Sequence, residues 1–154
     1  MPPRIRIRLV ASLLTLTVAA AFAAGDTARR PHYFKPAEVQ AARAAGETGS
    51  TLLEEPDFKI LASRRDRPGQ SEVHAGDTDI FVVIGGQATI VLGGKMLDAR
   101  EVSPGEFRGS GIEGGTAYLL EPGVVLTVPR NTPHWVRETQ PGFRYYVIKS
   151  VRRG

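Results

Sequence analysis

Beyond residue 50 the apolar positions come in short runs cut by glycine and proline. Phe58-Lys59-Ile60-Leu61-Ala62-Ser63 is the first such run, and Arg67-Pro68-Gly69 is a turn that leads into Ser71–His74. Ile80–Ile84 is wholly apolar and rich in Val and Ile, which predicts a strand buried on both faces. Gly85-Gly86 turns the chain back. Gln87–Leu92 alternates polar and apolar residues at first and ends at Gly93-Gly94. Residues 95–115 are Gly-rich with scattered charges and read as a long hairpin excursion. Thr116–Leu120, Val124–Val128, Trp135–Arg137 and Phe143–Val151 complete a set of roughly seven or eight short strands, the pattern of a closed or sandwiched all-β fold. Ahead of them, residues 25–35 form an irregular lead-in. Pro36–Ala45 then predicts a short helix, with proline in its first turn, an alanine-rich body and Gly46 to end it. Glu47–Ser50 is a polar connector.

The first 24 residues follow a different pattern. Arg4, Arg6 and Arg8 make a basic start, and Leu9 through Ala24 is uncharged and mostly apolar. Ala21-Phe22-Ala23 then offers small residues where a signal peptidase reads. The apolar run is 16 residues long, short of the ~20 that a spanning helix needs. The expectation is a signal peptide over 1–24, cut after Ala23 or Ala24. A lead-in with a short helix over 25–50 and a β-barrel domain over 51–154 would follow. The protein is then expected in the periplasm or secreted, with no membrane attachment after cleavage.

That division changes how the charge reads. The chain carries 20 Lys and Arg against 16 Asp and Glu. Three of the arginines and none of the acids fall within residues 1–24, leaving 17 against 16. The sequence pI of about 9.8 therefore overstates how basic the folded part is. Arg64, Arg65 and Arg67, interrupted by Asp66, are the densest basic cluster and read as a solvated strand end. No clustered Lys/Arg face of the kind that binds nucleic acid is visible. The absence of cysteine excludes disulfides, thiol chemistry and a thiolate metal site.

Two stretches carry candidate chemistry. Alternate residues of a strand share a face, so Glu72 and His74 point the same way. Ala75–Thr78 is a Gly/Asp turn, and Asp79 opens the next strand beside them. An imidazole with two carboxylates suits a divalent metal. In the second stretch, Pro129-Arg130-Asn131-Thr132-Pro133 is a sharp turn in which Asn131 tolerates the left-handed conformation. It delivers His134 to the start of a strand, with Trp135 packing on the opposite side.

These stretches resemble the two motifs of the cupin superfamily. Glu72 stands where that family places its first histidine, His74 is the second, Asp79 stands for the glutamate, and Gly86 falls at the closing glycine. Gly123, Pro129, Asn131 and His134 match the second motif in register, with Asn131 in place of a glycine. The likeness spans roughly residues 58–150. Asp66 occupies the opening glycine position, with Gly69 close by, and Glu138 stands where asparagine is usual. The resemblance implies a double-stranded β-helix, or jelly-roll barrel. Inside it, a site formed by Glu72, His74, Asp79 and His134 would hold a divalent ion such as Mn, Fe, Ni or Zn. It further implies either a metal-dependent enzyme acting on a small organic molecule or a non-catalytic cupin that binds a small ligand or metal. Pairing into a homodimer through edge strands is a further expectation.

Other residues read more simply. His32 is most simply an exposed loop residue, and Arg108 and Glu113 could line a barrel mouth but read more simply as solvated loop charges. Phe81 and Trp135 read as core. Tyr145 and Lys149 share one face of the last strand, either inside or outside the barrel. No Ser–His–Asp arrangement stands out, and 109–115 lacks the Lys-Ser/Thr of a phosphate loop.

Overall fold

The computed structural model describes residues 30–151. The chain divides into two compact units, Met1–His32 and Tyr33–Gly154. The expected signal peptide, 1–24, lies outside the described residues. In the first unit, residues 30–32 are exposed and irregular, His32 among them. No helix among the described residues is long and apolar enough to cross a membrane.

The second unit opens with α1 (Pro36–Ala44). The Glu38 side chain reaches back to accept the Lys35 backbone N–H at 2.6 Å, which closes the helix start. Gly46, at φ +63°, follows its end. The helix lies on β1 (Ser50–Glu54) and β2 (Phe58–Arg65), and its Arg43 guanidinium sits 5.4 Å from the Tyr146 ring centroid.

The chain continues through β3 (Ser71–His74), β4 (Asp77–Gly85), β5 (Ala88–Leu92), β6 (Lys95–Leu97), β7 (Arg100–Ser103), β8 (Glu106–Gly109) and β9 (Gly111–Glu113). It ends with β10 (Thr116–Leu120), β11 (Val125–Val128), β12 (His134–Thr139) and β13 (Phe143–Val151). One sheet has the order β1-β2-β13-β4-β11, the other β10-β5-β12-β3-β8-β7, and β6 pairs with β9 in a separate ribbon. The pairings are antiparallel throughout. The chain crosses between the two large sheets from β2 to β3, β3 to β4, β4 to β5, β10 to β11, β11 to β12 and β12 to β13. Both turns that carry the candidate motifs are therefore crossings from one sheet to the other.

Three expectations need correction. Thirteen strands form among the described residues, not seven or eight. The difference lies mostly in 95–115, which folds into four short strands rather than one excursion. Its turns are set by left-handed residues, Asp98 at φ +50° and Gly105 at φ +76°. β7 is exposed along its whole length, so it shows no apolar alternation that sequence could reveal. The third correction concerns β4, which is not buried on both faces. Asp79, Phe81 and Val83 point inward, whereas Ile84, on the outer side, is 39% exposed.

Between the sheets lies a core of Phe81, Val83, Ala88, Ile90, Leu120, Val128, Val136, Phe143, Tyr145 and Val147. Tyr145 stacks between Phe81, 5.5 Å away centre to centre, and Phe143 at 4.7 Å. Gly86 has φ +70°, and a Cβ there would stand 2.8 Å from the Phe143 Cα, so the turn after β4 needs glycine. The inward face of β13 runs from Phe143 and Tyr145 in the packed end to Val147 and Lys149, which border a cavity.

Candidate metal centre

β3 places Glu72 and His74 on one face, two residues apart. β12 begins at His134, whose register partner is Glu72. The crossing turn before it is fixed by Asn131, which adopts φ +60° and donates its backbone N–H to the His74 carbonyl at 2.8 Å. Asp79 comes inward on β4. All four side chains therefore meet between the sheets, His74, Asp79 and His134 buried and Glu72 largely so.

The donor atoms converge. His74 Nε2 lies 3.4 Å from Glu72 Oε2 and 3.4 Å from Asp79 Oδ2. His134 Nε2 lies 3.9 Å from each of the same two oxygens. Glu72, His74 and His134 offer ligand atoms within 4.8 Å of one another. Asp79 differs from these three in that its other oxygen accepts a hydrogen bond from Lys149 Nζ at 2.7 Å.

Each imidazole is held from behind. His74 Nδ1 is 2.5 Å from Glu106 Oε2, and His134 Nδ1 is 3.1 Å from the Thr132 carbonyl. A carbonyl and a carboxylate accept only, so both Nδ1 atoms carry a proton and donate it, and both Nε2 atoms face the cavity. Among the described residues His74 Nε2 is buried and has no hydrogen-bond partner. An orphaned buried nitrogen is costly in a purely structural role. A nitrogen so placed suits a metal ligand, and the carboxylate or carbonyl behind the imidazole is the usual support for metal-bound histidine. Glu72, His74 and His134 thus form a group whose donors could hold a divalent ion, with Asp79 beside them.

The electrostatics are tightly coupled. Burial works to raise the Glu72 carboxyl, but His74 beside it and the positive charges of Arg108, His134 and His74 outweigh that and bring it down to about 2. Burial disfavours charge on His74, yet the Glu72 carboxylate, with Asp79 and Glu106, overcomes both burial and Lys149 and raises it. His134 moves the other way, lowered chiefly by burial. Burial likewise raises the Tyr145 phenol.

The centre opens into a cavity of about 230 Å³. Several of its lining residues were not expected from sequence. Arg108 is not a solvated loop charge: β8 pairs with β3 so that Arg108 lies opposite Glu72 and Glu106 opposite His74. Arg65 is not simply a solvated strand end. It shares the inward face of β2 with Leu61 and Ser63, and its Nε donates to the Tyr145 hydroxyl at 3.0 Å. Tyr145 and Lys149 face inward, which settles the side of β13 they occupy. The Lys149 parity follows from its pairing with Asp79. Phe81 serves both core and cavity wall. Glu113 remains exposed, and Trp135 turns away from the site to donate its indole N–H to the Gly69 carbonyl at 2.8 Å.

No family model matches the sequence, and no curated protein matches it. Solved structures do. A Bacillus halodurans protein superposes with TM-score 0.58 at 13% identity, over 84% of this chain and 87% of its own. A conserved protein with a double-stranded β-helix domain from Klebsiella pneumoniae gives 0.54 at 18% identity, covering 82% and 88%. A hydroquinone 1,2-dioxygenase from Sphingomonas, solved with 4-hydroxybenzoate bound, gives 0.54 at 14% identity, covering 82% of each chain. At such identities the likeness is one of fold. Together with two sheets stitched by crossing turns, it establishes that this chain has a double-stranded β-helix, a cupin-like fold.

Proposed function

We propose that this protein is an exported, metal-binding cupin in which Glu72, His74, Asp79 and His134 hold a divalent ion (Mn, Fe, Ni or Zn). The loaded centre is a metal-dependent enzyme acting on a small organic molecule. The observation that carries the reading is the convergence of the two Nε2 atoms with the same two carboxylate oxygens, each imidazole being held at Nδ1 by an acceptor. A bound ion supplies Lewis-acid or oxygen chemistry at that point. The chain's own residues do the rest. Glu106 and the Thr132 carbonyl fix the tautomers. Lys149 occupies one oxygen of Asp79 and leaves the other toward the centre. Leu61, Val136 and Val147 form an apolar wall that favours an organic substrate over water.

With two nitrogens rather than three, affinity for late transition metals is lower than in a three-histidine site. Metal analysis of native, untagged protein tests the reading. A stoichiometric ion that is lost in His74→Ala and His134→Ala, with the fold kept, supports it. A wild-type protein that carries no ion, and whose melting temperature none of the four ions raises, removes it. The Lys149–Asp79 pair favours a second reading, a non-catalytic cupin whose cavity is charge-balanced by its own ammonium group and holds a small ligand. Full-length protein left in the cytoplasm as the stable species in a Gram-negative host would remove the export part of the proposal.

A further inference from the structure

We propose that the metal-loaded cavity binds a small organic anion, a single carboxylate on a body of about one ring, through Arg65 and Arg108. The inference rests on the metal reading above and adds the class of ligand. Charge is the first argument. The cavity wall carries the cations Arg65, Arg108 and Lys149 against the carboxylates Glu72, Asp79 and Glu106. These balance. A divalent ion held by neutral imidazoles would leave two positive charges in excess, or one if Asp77, 3.6 Å from Lys149, is included. An uncompensated charge in a largely enclosed site is unfavourable, and an anion removes it.

Geometry then selects the residues. Lys149 is committed to Asp79 at 2.7 Å. The two guanidiniums are not committed in that way. Arg65 Nη2 is 3.8 Å from Glu72 Oε1, and Arg108 Nη2 is 3.7 Å from Glu72 Oε2. Arg108 Nη1 stands 3.6 Å from Glu106. Charge-assisted hydrogen bonds are shorter, about 2.7–2.9 Å, and guanidinium prefers a two-pronged contact with carboxylate. Neither arginine makes such a contact here. Each is anchored through one nitrogen, Arg65 Nε on the Tyr145 hydroxyl and Arg108 Nη1 on the Phe107 carbonyl, both at 3.0 Å. The remaining donors flank the carboxylate that would be drawn to the metal. Once Glu72 is shared with an ion, these donors lack a full counter-charge, and an incoming carboxylate supplies it. The volume, about 230 Å³, limits the body, since a cavity of about 150 Å³ accommodates benzene.

The test uses the native protein loaded with nickel(II), titrated calorimetrically with benzoate and with its neutral isostere benzamide at fixed ionic strength. Nickel content is measured in each sample. Benzoate should bind at least about tenfold tighter than benzamide, and tighter to the loaded protein than to the stripped one. Arg65→Gln and Arg108→Gln should each weaken benzoate about tenfold at unchanged nickel content. Where a glutamine variant does not fold, the lysine variant keeps the charge, loses the fork and should weaken benzoate in the same direction. Nickel uptake without preferential benzoate binding, or benzoate binding indifferent to both arginines, overturns this inference and leaves the metal reading standing. Failure to take up nickel or any other of the four ions overturns both.

Discussion

The backbone N–H of Asn131 donates to the carbonyl of His74 at 2.8 Å, so the two crossing turns that carry the site are tied to each other through main chain. The bond exists because Asn131 takes φ +60°, a conformation that most side chains resist. Asn131→Gly should therefore leave stability within a few tenths of a kcal/mol, since glycine adopts that conformation freely. Asn131→Val should cost on the order of 1–2 kcal/mol and weaken metal retention, because a β-branched residue at positive φ is strained. Chemical denaturation of both variants, with metal content measured in parallel, checks this. Equal stability of the two would show that the turn does not depend on the left-handed residue.

Glu106 holds the back of His74 at 2.5 Å. Removing a support of this kind typically costs roughly 10–100-fold in metal affinity. Glu106→Ala should fall in that range while the fold survives, since the side chain is 30% exposed and lies at a strand end. Glu106→Gln should lose less, because its amide oxygen still accepts the Nδ1 proton. Competition against a chelator of known affinity measures both. A Glu106→Ala protein with wild-type affinity would mean that the His74 ring is oriented by packing alone.

The metal-free protein should lose stability in acid through Glu72. Its carboxyl is lowered from 4.5 to about 2, so the folded state favours the carboxylate. Its contribution is complete above about pH 4.5 and is lost as pH falls toward 2. At ~1.4 kcal/mol per unit, roughly 3–4 kcal/mol is at stake. The imidazoles act nearer neutrality and oppose each other. The contribution of His74, which is raised, is present below 6.5 and lost as pH rises past it. That of His134, which is lowered, disappears as pH falls below 6.5. Glu72 therefore contributes to the acid limb, together with Asp66, whose carboxyl the Gly142 N–H and Arg64 also lower, and Glu72→Gln should make the stability profile less steep between pH 4.5 and 2. An unchanged acid limb in that variant would refute the assignment.

Much of this arrangement is local and therefore legible in sequence. Strand parity puts Glu72 beside His74, a Gly/Asp turn brings Asp79 back, and Asn131 marks the turn before His134. β3, β10 and β13 begin and end where the apolar runs do. What sequence does not carry is the pairing across distant segments. Glu106 and Arg108 look like loop charges until β8 is set against β3, which places them opposite His74 and Glu72. Arg65 belongs to a basic cluster whose alternate members point to opposite sides, Arg64 toward Asp66 and Arg65 into the cavity. Lys149 could have faced either way until the register with Asp79 was fixed.

Among the described residues, two of the sheet edges present apolar side chains to solvent. β10 and β11 terminate their sheets, and they expose Tyr118, Leu119 and Val125, the last at 63%. Soluble β-proteins usually guard such edges with charge, proline or a bulge, because unpaired backbone groups beside apolar side chains invite another strand. Here the pairing of β10 with β5 and of β11 with β4 runs without a register shift. A second copy is the simplest cover, so the protein should sediment as a dimer at micromolar concentration. Leu119→Lys and Val125→Lys should each shift it toward monomer with little change in melting temperature, since both side chains already face solvent and surface substitutions of this kind stay within about 0.5 kcal/mol. Sedimentation velocity that finds only monomer in the wild type, or lysine variants that remain dimeric, would show that these edges stay open.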